Sequence, residues 1–189
     1  YFDRRRPELR WGERAENALL DFVRSGKGVV VFHFATAAFD GWQEYEKMCG
    51  GNWRPNQGHH SARHDFTVEI KDTEHPITKG MPREWLHTKD ELYDFLRGPG
   101  DKMQILATAY ADKKHGGSGR HEPMIFTVSF GKGRVFHTPM GHGDYSQECV
   151  GFIATFLRGT EWAATGKVTL PIPADFPTAE KLSQRAAKE

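Results

Sequence analysis

The stretch that most constrains this sequence is an unbroken apolar run, Val29-Val30-Val31-Phe32, set behind a glycine turn and an amphipathic helix pattern. Between Trp11 and Arg24, the residues Ala15, Ala18, Leu19, Phe22 and Val23 recur at helical spacing, with Glu13, Arg14 and Glu16 on the other side. Gly26-Lys27-Gly28 then stops the helix. Four apolar residues without a polar member suit a strand covered on both faces. Helix, glycine turn and doubly covered strand make half of a βαβ unit, which places the chain among α/β proteins.

The rest of the chain supports the same class. A turn of small residues over 33–38 precedes a helix from Trp42 to Met48, and Gly50 to Gly58 reads as a loop. Strands are expected at Phe66 to Ile70 and at Met103 to Ala107, with Pro123 to Phe130 and Gly133 to Thr138 joined by the tight Gly131-Lys132-Gly133 turn. Asp112 to Gly119 reads as a mobile loop, and Gly151 to Trp162 as a final helix. Residues 1–170 are expected to form one domain, with 171–189 a polar extension, solvated or packed on a neighbour. Lys plus Arg number 26 against 25 Asp plus Glu, which argues against nucleic acid or an anionic membrane as partner. No apolar run approaches the ~18 residues needed to cross a bilayer. Cys49 and Cys149 form no C-x-x-C pair, leaving buried thiols or one disulfide as the alternatives.

Ten histidines supply the chemical lead. In open α/β sheets, ligands sit outside the carboxyl ends of the strands. His33 follows the apolar strand, Asp90-Glu91-Leu92-Tyr93 follows the Trp85 segment, and Gly141-His142-Gly143-Asp144 follows the strand ending at Thr138. Imidazole and carboxylate together can hold a divalent metal or exchange protons near neutral pH. Each residue also has a structural reading: His33 as a hydrogen-bonded strand end, Asp90 as a helix cap, and Trp42, Tyr45 and Trp53 as core rather than a wall for a sugar ring. His59, His60 and His64 lie in a loop where imidazoles can stand idle. The sequence has no G-x-S-x-G elbow, phosphate-binding loop or H-E-x-x-H.

Six ordered pieces resemble one family. They are Gly26 to Ala35; Trp42, Tyr45 and Gly50-Gly51; His59-His60; His75-Pro76-Ile77-Thr78-Lys79-Gly80-Met81-Pro82; Asp90-Glu91-Leu92-Tyr93; and Gly131 to Phe136 followed by Gly141-His142. Together they are similar to the ThuA-like (trehalose-utilisation) family over about residues 14–165. The resemblance implies the flavodoxin-like fold of class I glutamine amidotransferases, a three-layer sandwich with a mainly parallel sheet. It also implies a preceding strand-helix-strand that this sequence lacks. Where those amidotransferases carry a nucleophilic Cys, this chain has His33, so amidotransferase activity is not expected. His137 stands where the family usually has an aromatic residue.

By resemblance, the expected role is in carbohydrate catabolism, acting on an oxidised (3-keto) glycoside or related sugar as a lyase or hydrolase. The expected catalytic groups are His33, His142 and Glu91, with His33 and His142 as ligands if a divalent metal takes part. Trp42, Tyr45, His59, His60, Tyr93 and Asp90 are the expected substrate contacts, with Trp53 as a further stacking surface. The alternatives are a non-catalytic sugar-binding or assembly module with a vestigial site, or a metal-dependent hydrolase of another small substrate. A homo-oligomer stays open, as does the choice between a cytoplasmic and a periplasmic or secreted location.

Overall fold

The computed structural model describes residues 10–98 and 100–185; the outer ends of the expected domain and extension lie outside them. Helix α1 (Glu13–Arg24) leads through the glycine turn into strand β1 (Gly28–Phe32). A 3-10 turn (His33–Ala37) and helix α2 (Gln43–Cys49) follow. Then come β2 (His59–His60), β3 (His64–Ile70), β4 (Glu84–Asp90), β5 (Tyr93–Asp94), β6 (Met103–Tyr110), β7 (His121–Phe130), β8 (Gly133–Thr138), α3 (Asp144–Gln147) and α4 (Val150–Thr165). No helix among the described residues is long and apolar enough to cross a membrane.

Six strands pair in the order β1-β8-β7-β6-β3-β4, and β2 pairs with β5 in a separate ribbon. Among the described residues of this sheet only β1 and β8 run parallel, with Phe32 opposite Thr138; the other four pairings are antiparallel. The expectation of a mainly parallel sheet is therefore corrected. The reason is local: a parallel neighbour needs a long crossover, whereas the two-residue Gly131-Lys132 link between β7 and β8 can make only a hairpin.

Alternation along the strands separates two apolar layers. Val31, Phe126, Val128 and Val135 meet α1 and α2 through Leu20, Val23, Tyr45 and Met48 on one face. Phe136, Met124, Ile125, Leu106, Val68 and Trp85 gather on the other with Phe152 and Ala163 of α4. Helices thus cover both faces of a mixed sheet. A Cβ on Gly28 would lie 2.1 Å from the carbonyl oxygen of Ala163, so α4 rests directly on the start of β1. β1 itself is only partly buried, with Phe32 37% exposed, and among the described residues it pairs with β8 alone. The apolar face of α1 is also turned from its expected position: Leu20 and Val23 are buried, while Phe22 is 50% exposed.

Two connecting segments take defined form. The Asp112 to Gly119 loop holds a 3-10 turn in which the Asp112 side chain accepts from the Lys114 N–H. The segment after Pro171 lies along its own chain. Thr178 accepts from the N–H of Leu86 on the outer strand β4, Phe176 packs edge-on against Trp85, and Ser183 accepts from Val150. Its apolar residues Ile172 and Phe176 give it a side to bury. Cys49 and Cys149 are buried free thiols, which settles the disulfide alternative.

Candidate functional site

The site begins where β1 ends. His33 opens the 3-10 turn with φ +46°, a left-handed conformation that non-glycine residues rarely adopt. At 8% exposure it is nearly buried. Its Nδ1 lies 3.0 Å from the carbonyl oxygen of Pro139, which can only accept, so the proton sits on Nδ1. Burial pushes the His33 pKa down, against the opposing pull of that carbonyl, and the ring is neutral near pH 7. Nε2 is left with a lone pair facing the site.

Two groups face that lone pair, each at 3.1 Å: the Tyr93 hydroxyl and Nδ1 of His142. His142 Nδ1 also lies 3.0 Å from Oε2 of Glu91, itself 8% exposed. The Arg63 guanidinium meets the other nitrogen of His142, Nε2, and Arg63 Nε lies 3.7 Å from Glu91 Oε1. Since Arg63 can only donate, Nε2 accepts and the proton of a neutral His142 sits on Nδ1, between Glu91 and His33. One chain of contacts runs Glu91, His142, His33, Tyr93.

The β2–β5 ribbon builds one wall. Its register sets His59 opposite Asp94 and His60 opposite Tyr93. His60 Nδ1 donates to the Ser61 carbonyl at 2.9 Å and stands 3.9 Å from Glu91 Oε1. His59, one ring further out, is 2.9 Å from Oδ1 of buried Asp94. Trp53 packs edge-on against Tyr93 with ring centroids 4.9 Å apart.

The remaining expected residues lie elsewhere. Trp42 and Tyr45 stack on each other in the core layer beside α1, and the Tyr45 hydroxyl donates to the Ala35 carbonyl. Asp90 is fully buried beneath the site. Its Oδ1 accepts from the N–H groups of Glu91 (2.9 Å) and His142 (3.0 Å). Its Oδ2 accepts from Gly141 N–H (2.6 Å) and His87 Nε2 (2.7 Å). Burial alone would raise the Asp90 pKa, but His87 and the backbone donors outweigh it and hold the carboxyl below its usual range. Burial likewise opposes the charge on His87, yet Asp90 and Cys149 lift its pKa to about 9. His137 is fully buried against the Phe126 ring and takes no part in the cluster.

Sequence reasoning missed Arg63 and His87. Arg63 lies in the imidazole-rich loop from His59 to His64, a density of polar rings that could have marked it. His87 gave no usable signal.

Among the described residues, one atom each from His33, Glu91 and His142 lie within 4.8 Å of one another, a two-imidazole, one-carboxylate set. Such a set suits zinc or another borderline divalent metal, and the His33 Nδ1 bond to a backbone carbonyl is the usual outer support of a metal-binding histidine. The residues fit a metal on one condition. His142 would have to carry its proton on Nε2, the nitrogen Arg63 now meets.

The family model described as trehalose utilisation (ThuA) matches residues 8–163. The chain belongs to the ThuA family. A ThuA-like protein from Parabacteroides merdae ATCC 43184 is 40% identical, with a TM-score of 0.88 over 93% of this chain and 74% of that one. A second ThuA-like structure, from Bacteroides uniformis ATCC 8492, shares the fold at 19% identity, TM-score 0.62, covering 83% of this chain and 67% of that one. A β-galactosidase from Rahnella sp. R3 shares the fold alone, at 14% identity and TM-score 0.50, over 84% of this chain and 22% of its own. No curated protein matches the sequence.

Proposed function

We propose that this ThuA family member processes a small carbohydrate, an oxidised (3-keto) glycoside or related sugar, by acid/base chemistry at His33, Glu91 and His142. The observation that carries the reading is the convergence of these three groups within 4.8 Å at the mouth of the sheet, on a chain of the trehalose-utilisation family. A 3-keto group acidifies the neighbouring C2–H. His33 Nε2, neutral and unprotonated, takes that proton; the electron pair forms a C1–C2 double bond as the C1–O bond breaks. The departing oxygen takes the proton of the Tyr93 hydroxyl, and the Glu91 carboxylate, linked to His33 through His142, balances the imidazolium. Trp53, edge-on to Tyr93, is the indole beside the cluster, whereas Trp42 and Tyr45 pack in the core. A divalent metal held by His33, His142 and Glu91 would engage the same His33 Nε2 lone pair, and would supply Lewis-acid polarisation of the keto oxygen in place of that base. Thiolate acyl transfer has no support, because both cysteines are buried and His33 occupies the turn after β1.

The test is turnover of 3-keto-glycosides by the wild type, with added divalent metal and with chelator, beside His142→Ala and Glu91→Gln. The reading expects release of the glycosidic substituent, with a loss on the order of 10²- to 10⁴-fold in each variant. Sugar binding without turnover in all three proteins would overturn it in favour of a non-catalytic binding module.

A further inference from the structure

We propose that Asp90 is the positioning residue of this site: its buried carboxylate clasps the outer strand β4 to the loop leaving β8, and so sets Glu91 and His142 at working distance. The inference rests on reading His33, Glu91 and His142 as the working groups. It moves Asp90 from an expected sugar contact to the support behind two of them.

The topology makes the contact unexpected. β4 and β8 are separated by β7, β6 and β3 in the sheet. At the usual spacing between strands, a flat sheet would hold their ends about 19 Å apart. Yet Asp90, the last residue of β4, lies 2.6 Å from the N–H of Gly141 and 3.0 Å from that of His142. The loop leaving β8 therefore crosses the rim towards the outer strand, and this carboxylate fastens the two together.

The chemistry leaves Asp90 no other task. An ionised carboxylate offers about four lone-pair directions, and four donors take them: Glu91 N–H, His142 N–H, Gly141 N–H and His87 Nε2. At 0% exposure, no lone pair is turned towards a substrate. The loop is held from its other side as well, since Gly141 has φ +101° and a Cβ there would fall 2.7 Å from the Phe152 ring. Glu91 joins the clasp through its own backbone. A single side chain thus sets where the Glu91 carboxylate and the His142 imidazole begin.

Asn at position 90 keeps one acceptor oxygen and can still receive Glu91 and His142, while losing Gly141. Ala loses all four bonds. The experiment follows the ring ¹⁵N signals of His33 and His142, and the exchange of the Glu91, Gly141 and His142 amides, in wild type, Asp90→Asn and Asp90→Ala. His75 and His121 serve as distant controls. In Asp90→Ala, both site rings should shift towards free-imidazole values with the controls unmoved, and the three amides should exchange about tenfold faster or more. In Asp90→Asn, only the Gly141 amide should lose its protection, and both rings should stay near their wild-type positions. If Asp90→Ala does not fold, the Asn variant carries the test. Unmoved rings in a folded Ala variant, or unchanged Gly141 exchange in the Asn variant, would overturn the proposal. These signals need neither sugar nor metal, so a protein without turnover whose rings respond as described would refute the sugar reading and leave the clasp standing.

Discussion

At the scale of single residues, the site is governed by which nitrogen carries each proton. The Pro139 carbonyl fixes His33 with its lone pair inward, and Arg63 fixes His142 the opposite way, with its Nδ1 proton inward. The seated Arg63 therefore favours a proton relay and opposes a metal, because two donors cannot share Nε2. Arg63→Ala is expected to raise zinc affinity about tenfold, roughly the worth of one charge-assisted hydrogen bond. Titration calorimetry with zinc alone measures it, and unchanged or weaker binding would disprove the tautomer argument. His33, His142 and Glu91 were legible because each follows a strand or a glycine that projects it from the sheet. The His87–Asp90 pair was not. Residues three apart on a regular strand point to opposite faces; here Lys89, at φ +37°, breaks the alternation just before Asp90.

At the scale of elements, local patterns were legible and their direction was not. The amphipathic helix, the apolar strand and the β7–β8 turn all form near their expected places, β8 at the same residues. The parallel sheet was carried over from the family likeness, although the Gly131-Lys132-Gly133 turn already required one antiparallel pair. The His75 to Pro82 motif is structural: buried Arg158 donates to the carbonyls of Pro76, Ile77 and Lys79. The segment after Pro171 protects the outer edge of β4, where unpaired backbone groups would otherwise invite another strand. Phe176, packed on Trp85, anchors it. Phe176→Ala should cost roughly 2 kcal/mol, below the range for a fully buried Phe because the ring is half-buried. Urea unfolding measures this, and a change within error would show that the segment is held by its backbone bonds alone.

At the scale of the whole molecule, buried imidazoles set the pH range of stability. His87 has a pKa of about 9 in the fold against 6.5 free, so its contribution is full below pH 6.5 and is lost as pH rises through 9. His137 is lowered by burial to about 4, so the unfolded chain binds more protons between 6.5 and 4, and stability falls as pH drops through that interval. The melting temperature should therefore peak near neutrality and decline on both sides. Melting followed by circular dichroism from about pH 4 to about pH 10 tests this: His87→Gln should flatten the alkaline limb and His137→Gln the acid limb, and limbs of wild-type slope in both variants would refute the assignment. The lone parallel pair has a different consequence, for how the two functions of the sheet can be lost separately. Phe32 faces Thr138, so His33 and the chain leading to His142 depart from the same rim. Inserting two residues into β1 preserves the alternation of faces, and the pairing can re-form, but it carries one imidazole about 7 Å along the strand direction and past the rim, out of the other's reach. The same insertion in β6 would leave the two histidines adjacent. The sheet can absorb length almost anywhere; the site cannot absorb it in this one pair of strands.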